Sequence, residues 1–592
     1  MTSALTIDDP TLVAILANRF EAIGREMTNT LLRTARSAVI GVARDFSCSI
    51  VTGDDRLLAS AAGLPVHIFG SHLQSKAMRE LHPDLRDGDA YLHNDPYLGN
   101  THHADHTILV PVFVDGEHLF TACAKAHQAD IGNTLPTTYM PFARDIFEEG
   151  AVSFPCVRIQ RDRRDVEEVI RTARRRIRVP QVWYGDYLAA LGAARIAEKR
   201  LQELTERYGV DTIKAFIETW FDYSERRMRE GLRKIPSGRY IGKATHDPFP
   251  GVEQGIPLQV IVDVDAEAGT VVLDLRDNPD CVPAGFNQSE ATATNSVVTG
   301  LFNILDSDIP HNHGTFRCIE VLLRENCVAG IPVHPTCCSM ATTNVADRLV
   351  NATASAFGDL PGIGLAQGGA AMGADSAVIG GTDNRRGGSQ YVNQIIIGNN
   401  GGGAHADTDG WLTIALPVTG GLLHRDSVEV LEGKYPILID EVRLTIDGGG
   451  PGRRRGAPPA VVVYGPRDTP MTVAYAGDGG VHPAAGVNGG GPGAKAWGQI
   501  LGRGDSPIDI GTMGFQFLSP GERVRASGAG GGGFGDPRER EPELVLSDVL
   551  EGWISREAAV DQYAVVLAGA IEDESLAVNV QATEQLREHQ RD

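Results

Sequence analysis

The chain has 592 residues, 42% hydrophobic and 22% charged, with a formal charge of −22. That length exceeds a single hydrophobic core and points to roughly three or four domains. So acidic a chain repels polyanions overall, which argues against non-specific nucleic-acid binding and leaves only a local basic patch open. No run of about 18 apolar residues offers a membrane-spanning helix.

The first residues, MTSALTIDDPTLVAIL, lack a basic segment followed by an apolar core, so no secretory signal is expected. Asp9-Pro10 is a helix start, with the carboxylate as N-cap and proline at the first helical position. Leu12, Ile15, Leu16, Phe20, Ile23, Met27 and Leu31 recur at helical spacing after it. FSCSIVTGDDRLLAS reads as a hairpin turning at Gly53 and Asp54. TILVPVFVDGEHLFTACAKAH reads as a second, turning at Asp115-Gly116, with alternation in its return strand.

Residues 158–180, RIQRDRRDVEEVIRTARRRIRVP, combine basic and acidic side chains and read as a solvated helix face or a subunit contact. Two helices are expected next, in DYLAALGAARIAEKRLQELTERYG and IKAFIETWFDYSERRMREGLRKI. From Pro236 strands dominate, opening with a hairpin across Glu267-Ala268-Gly269. NSVVTGLFNIL and DRLVNATASAFG interrupt them as helices. A further β-rich part holds YPILIDEVRLTI and APPAVVVYGP, and the tail contains two short amphipathic helices before frayed final residues.

Glycine, 69 residues in all, crowds into runs after Gly362, read as tight turns and close backbone approaches between short strands. The eight cysteines form no C-x-x-C pair, so free, mostly buried thiols in a reducing cytoplasm are expected. The fold class is α+β and multidomain. An N-terminal metal-binding region spans 1–235, a central α+β domain 236–418, a Gly-rich β domain 419–537 and a helical tail 538–592.

HNDPYLGNTHHADHT (93–107) and CAKAHQADIGN (123–133) together hold five of the chain's 17 histidines, with three aspartates. Such a segment is either a polar surface loop or a metal centre. The second hairpin brings the residues before Thr107 beside those after Ala126, so His102, Asp105 and His127 can converge. Imidazole and carboxylate without thiolate suit zinc, manganese or iron rather than calcium. Other signatures are missing: no G-x-S-x-G elbow, no H-E-x-x-H helix, no P-loop and no dinucleotide fingerprint.

RDFSCSI, PVHIFGS, NDPYLGNTHHAD, AHQADIG, EEG, GGGPGRRRG and GGGGFGDP occur in that order along nearly the whole chain. On these motifs the sequence resembles the hydantoinase B/oxoprolinase family, the beta-subunit type of ATP-dependent hydantoin and lactam hydrolases. A homologous subunit occurs in acetone and acetophenone carboxylases. The resemblance implies a two-component, hetero-oligomeric enzyme. A hydantoinase A-type ATPase subunit, carrying ATP and Mg²⁺, would phosphorylate a cyclic amide. This chain would hold a divalent metal, Zn²⁺ or Mn²⁺, and complete hydrolysis. Carried over by position, the ligands are His102, Asp105 and His127, with Asp45 as the fourth. Asp95 and Asp130 either orient groups and transfer protons near the metal or simply cap turns.

Two positions depart from the family pattern: Asn100 and Asn133 stand where a second glycine is common. Asparagine tolerates the left-handed region, so the turns are expected to survive with less room beside the metal. His103 and His106 are expected to face solvent, with either able to substitute as a ligand. A ketone carboxylase subunit and a non-catalytic scaffold are the competing readings.

Overall fold

The structure, a computed structural model, describes residues 7–61 and 63–589. The opening helix runs Pro10–Thr34, and the Asp9 carboxylate accepts from the Thr11 amide at 2.9 Å. Seven strands form the first sheet: β1 (Phe46–Thr52), β2 (Leu57–Ser60), β3 (Ala90–His93), β4 (Asp105–Val114), β5 (Glu117–His127), β6 (Val157–Arg161) and β7 (Arg164–Asp165). Their spatial order is β2-β1-β5-β4-β3-β6-β7, so β5 lies between β1 and β4. Both expected hairpins are present.

Alternation along these strands separates two chemistries. Cys48, Ile50, Ile108, Val110, Ala122, Ala124 and Ala126 face the helices Pro10–Thr34 and Pro180–Tyr208 in one apolar core. The opposite face is hydroxyl-rich, and it too is buried. The helix Ser71–Leu81, unassigned from sequence, covers it through hydrogen bonds Ser49–Ser71 (2.8 Å), Ser75–Thr121 (3.0 Å) and Gln74–Thr107 (3.0 Å). Those hydroxyls and amides are tolerated there because they find partners in one another.

The basic segment 158–180 is not one helix. Its first residues are β6 and β7, an edge hairpin of the sheet, and only Glu167–Arg176 is helical. Apolar Ile159, fully buried within a polar run, fixes the strand. The two helices expected next span Pro180–Tyr208 and Val210–Leu232.

A second sheet, order β11-β10-β9-β8, contains β8 (Gly238–His246), β9 (Ile256–Asp265), β10 (Thr270–Asp274) and β11 (Ile319–Leu322). The helices Glu290–Phe302 and Asn344–Ser355 lie where the sequence placed them. Next along the chain come β12 (Val378–Asp383), β13 (Ser389–Gln394), β14 (Ile437–Leu444), β15 (Ala460–Pro466) and β16 (Met471–Ala476). β17 (Trp497–Leu501), β18 (Ile508–Asp509), β19 (Met513–Leu518) and β20 (Arg523–Ser527) follow, and β21 (Leu567–Ala568) pairs with β22 (Ala577–Val578) in the tail. Strands β12 to β20 make sheets of order β13-β12-β16-β19 and β14-β15-β20-β17-β18, so strands on both sides of residue 418 share one sheet.

The glycine runs act mainly through close approach rather than positive φ. Gly450, Gly456, Gly531 and Gly533 all have ordinary φ, yet a Cβ at Gly531 would lie 1.9 Å from the Gly402 carbonyl oxygen. Backbone bonds such as Gly450–Gly531 (2.8 Å) and Gly533–Gly491 (2.9 Å) bind the runs to one another. All eight cysteines are free, and only Cys281 is not fully buried. The tail has the helices Pro542–Leu550 and Arg556–Asp561, and a third, Val580–His589, where fraying was expected. Residues 590–592 lie outside the described part. No helix among the described residues is long and apolar enough to cross a membrane.

Candidate metal centre

Register places the site. Asp105 pairs directly with His127 across β4 and β5, and the His127 amide donates to the Asp45 carbonyl at 3.1 Å. Asp45, His127 and Asp105 therefore form one row across three adjacent strands, at the end of the buried polar face. His102 reaches the row from the loop before β4. Its Nε2 lies 3.2 Å from Asp105 Oδ1, and His127 Nδ1 lies 3.3 Å from the same oxygen. His102, Asp105 and His127 are buried, and their ligand atoms all lie within 4.8 Å of one another. The surface-loop alternative is ruled out by that burial.

The donor set fits a metal ion. A carbonyl only accepts, so the 2.8 Å bond between His102 Nδ1 and Ser339 O puts the proton on Nδ1 and turns a lone pair of Nε2 toward Asp105. Nε2 and Asp105 Oδ1 are both buried without a hydrogen-bond partner, an arrangement that calls for a cation between them. Around an ion with ligand bonds of about 2.0–2.2 Å, neighbouring donor atoms sit about 2.8–3.6 Å apart, which matches these separations. Thr138 Oγ1 holds His127 Nε2 at 3.1 Å, leaving Nδ1 toward the row. Thr101 donates to Asp105 Oδ2.

His67 was missed from sequence. It projects from the single-turn helix Pro65–Ile68 and places Nε2 3.2 Å from Asp105 Oδ2 and 3.6 Å from Asp45 Oδ1. Its signal was present, since PVHIFGS was among the motifs that carried the resemblance. Asp45 stands at the edge of the cluster, with its Oδ2 3.9 Å from His127 Nδ1 and 9% of its side chain exposed. The residue before it, Arg44, takes φ +60°, which aims Asp45 into the row as β1 begins.

The two carboxyl groups titrate in opposite directions. Burial pushes Asp45 up, and the neighbouring His127 and His67 only partly offset it. Burial also acts on Asp105, but His102 and His67 outweigh it and hold that carboxyl well below the usual range.

Asp95 and Asp130 are not brought to the cluster. Asp95 caps the turn Pro96–Leu98 by accepting from the Tyr97 amide at 2.9 Å. Asp130 is buried against Arg178, accepting from its backbone amide and, at 3.0 Å, from its guanidinium.

The remaining histidines correct the expectation of solvent exposure. His103 is buried and bonds Glu149 Oε2 at 3.0 Å. His106 is buried on the apolar face, accepts from Trp183 Nε1 at 3.2 Å, and is pushed down to about 3 by burial. His93 accepts from the Cys156 amide and donates to the Leu98 carbonyl, bracing the loop. Nor do the asparagines take the left-handed positions; Gly99 (φ +90°) and Gly132 (φ +79°) do. The Asn100 side chain instead donates to the carbonyls of His102 (2.7 Å) and Asp105 (2.9 Å), tying the two ligands together from beneath.

An α+β chain with such an imidazole–carboxylate cluster at its strand ends has a site that could hold a metal ion. Residues 9–537 match the hydantoinase B/oxoprolinase family, and the chain belongs to that family. It is 32% identical over 579 residues to the caprolactamase subunit beta of Pseudomonas jessenii, covering 95% of this chain and 97% of that one. The crystal structure of the ATP-dependent caprolactamase from that organism superposes with a TM-score of 0.86 at 28% identity, over 98% of this chain and 99% of its own. The acetophenone carboxylase delta subunit of Aromatoleum aromaticum is 26% identical over 597 residues, 94% of this chain and 86% of that one.

Proposed function

We propose that this chain is the metal-binding subunit of an ATP-dependent cyclic-amide hydrolase, completing hydrolysis of a substrate phosphorylated by a separate ATPase subunit. The observation that carries it is the pair of buried, unpartnered acceptors, His102 Nε2 and Asp105 Oδ1, facing each other at 3.2 Å. The near end-to-end likeness to a caprolactamase beta subunit supports the substrate class.

His102, Asp105 and His127 would hold the ion, with Asp45 as fourth ligand and Zn²⁺ or Mn²⁺ as the metal; ATP and Mg²⁺ belong to the partner. A divalent ion so held lowers the pKa of bound water to about 7 and polarises a carbonyl or phosphoryl oxygen. The chain's own residues prepare that chemistry. Ser339 and Thr138 fix the two imidazoles, and Asn100 fixes the loop that carries His102 and Asp105. Asp45 stands at the edge of the row, beside His127 and His67. Asp95 and Asp130 act as structural braces, through the Tyr97 turn and the Arg178 pair. The subunit works in the cytoplasm, consistent with free thiols in every cysteine.

The test is co-purification with the large ATPase subunit, followed by ATP-dependent turnover of lactams and hydantoins against ketone plus bicarbonate. Ring opening supports the hydrolase. Carboxylation of the ketone supports the second reading, which the acetophenone carboxylase likeness favours.

A further inference from the structure

The EEG stretch lies outside the ligand set, yet it holds a carboxylate buried close to it. Glu149 closes the single-turn helix Ile146–Glu149, whose start Asp145 caps by accepting from the Phe147 (3.0 Å) and Glu148 (2.9 Å) amides. Only 1% of the Glu149 side chain is exposed. A carboxylate is kept that deep when partners satisfy it.

The first partner is His103. Glu149 Oε2 lies 3.0 Å from His103 Nδ1, and since a carboxylate only accepts, that nitrogen carries the proton. His103 follows His102 directly, and the Asn94 side-chain amide donates to its carbonyl at 2.8 Å. The loop is thus anchored through side chain and backbone one residue past the ligand.

The second partner is the segment 335–340. The Ile146 amide donates to the Pro335 carbonyl at 3.1 Å, and Asp145 forms a β-bridge with Thr336. Three residues further on, the Ser339 carbonyl accepts from His102 Nδ1 at 2.8 Å, and the Ser339 hydroxyl accepts from the Met140 amide at 3.0 Å. That hydroxyl also sits beside the Glu149 carboxyl. Burial raises the carboxyl, but His103, the Ser339 hydroxyl and His102 outweigh it and hold it below its ordinary value. Ser339 lies 237 residues from His102 in the chain, so no local geometry keeps its carbonyl on the ring. Glu149 joins the two segments at that point.

We propose that Glu149 is a positioning residue for His102. It fastens the His103 loop to the Ser339 segment, so that the Ser339 carbonyl keeps the imidazole turned with Nε2 toward Asp105. The proposal rests on the metal reading of the cluster and adds a carboxylate outside the ligand set.

The experiment uses the complex with the ATPase subunit, this chain carrying ¹⁵N-histidine. In the metal-free complex the His102 ring signal, identified by its absence in His102→Gln, reports exchange of the Nδ1 proton with solvent. Cobalt(II) then reports affinity, by competition with a chelator, and ligand geometry, by its visible absorption. Glu149→Gln keeps an oxygen acceptor for His103 and is expected to leave the proton protected and the cobalt affinity and spectrum near wild type. Glu149→Ala should speed exchange of the proton by at least about tenfold. It should also shift the cobalt bands and weaken affinity about 10–100-fold, the usual effect of losing a group that orients a ligand. Glu149→Asp keeps the charge and withdraws it by one methylene. It should move all three readouts in the same direction, and it decides the matter if the alanine variant does not fold.

Proton exchange, cobalt spectrum and affinity unchanged in the folded aspartate and alanine variants overturn the proposal, even if their urea midpoints fall, because Glu149 would then brace the fold alone. Losses in Glu149→Gln as large as those in Glu149→Ala also overturn it, since the bond to His103 would not be what holds the ring. A wild type that takes up no cobalt defeats the metal reading instead, and proton exchange in the metal-free complex still decides the role of Glu149.

Discussion

His102 and Asp105 present buried acceptor atoms to each other, which a folded chain tolerates when a cation lies between them. That pairing was legible in the sequence because a two-residue turn at Asp115-Gly116 fixes where the hairpin ends. His127 was legible for the same reason. His67 was not, since it arrives from a single helical turn far upstream, and no local periodicity relates it to β4. His67 touches both carboxylates, so it orients ligands already held by their own anchors. His67→Ala should weaken metal affinity about 10–100-fold while the site still fills at saturating metal, measured by competition with a chelator. The burial of His103 and His106 was equally invisible, because polar residues were assigned to solvent before their partners Glu149 and Trp183 were known.

Among the elements, the β4–β5 hairpin carries the most, because its register alone sets Asp105 opposite His127. At its turn Asp115 has φ +51° and Gly116 φ +82°, with open space around the glycine. Gly116→Ala therefore meets no clash and tests backbone strain alone, with an expected loss of about 1–2 kcal/mol in urea denaturation. Hairpins and long helices were readable from their alternation and caps. The helix Ser71–Leu81 was not, since what identifies it is the hydroxyl-rich sheet face it satisfies. Strand β6 and the edge strand β7 were hidden because their charges resembled a helix surface.

At the scale of the whole molecule, the sheets and their glycine seams pack backbone against backbone, and several carboxyl groups are trapped inside. Burial raises Asp347 to about 7, Asp375 to about 6 and Asp426 to about 7. Raised values mean that the folded chain holds protons the unfolded chain has released between about pH 4 and pH 7. These groups therefore favour the folded state at the acidic end of that window and lose that contribution as pH rises through it. Asp426→Asn keeps the acceptor that the Ile396 amide uses at 2.8 Å and removes the titration. Its urea midpoint should fall less than the wild type's between about pH 5 and pH 7.5. The α+β architecture and the close approaches of the glycine runs were legible from the sequence, whereas which run packs on which was not, because the partners lie far apart in the chain.

The central claim, that His102, Asp105 and His127 hold a catalytic metal, is tested most directly by metal analysis of the purified complex. The wild type should carry a stoichiometric divalent transition metal. His102→Ala and His127→Ala, each still folded and bound to the ATPase subunit, should lose both the ion and ATP-dependent ring opening. Stoichiometric metal in either variant would contradict the account.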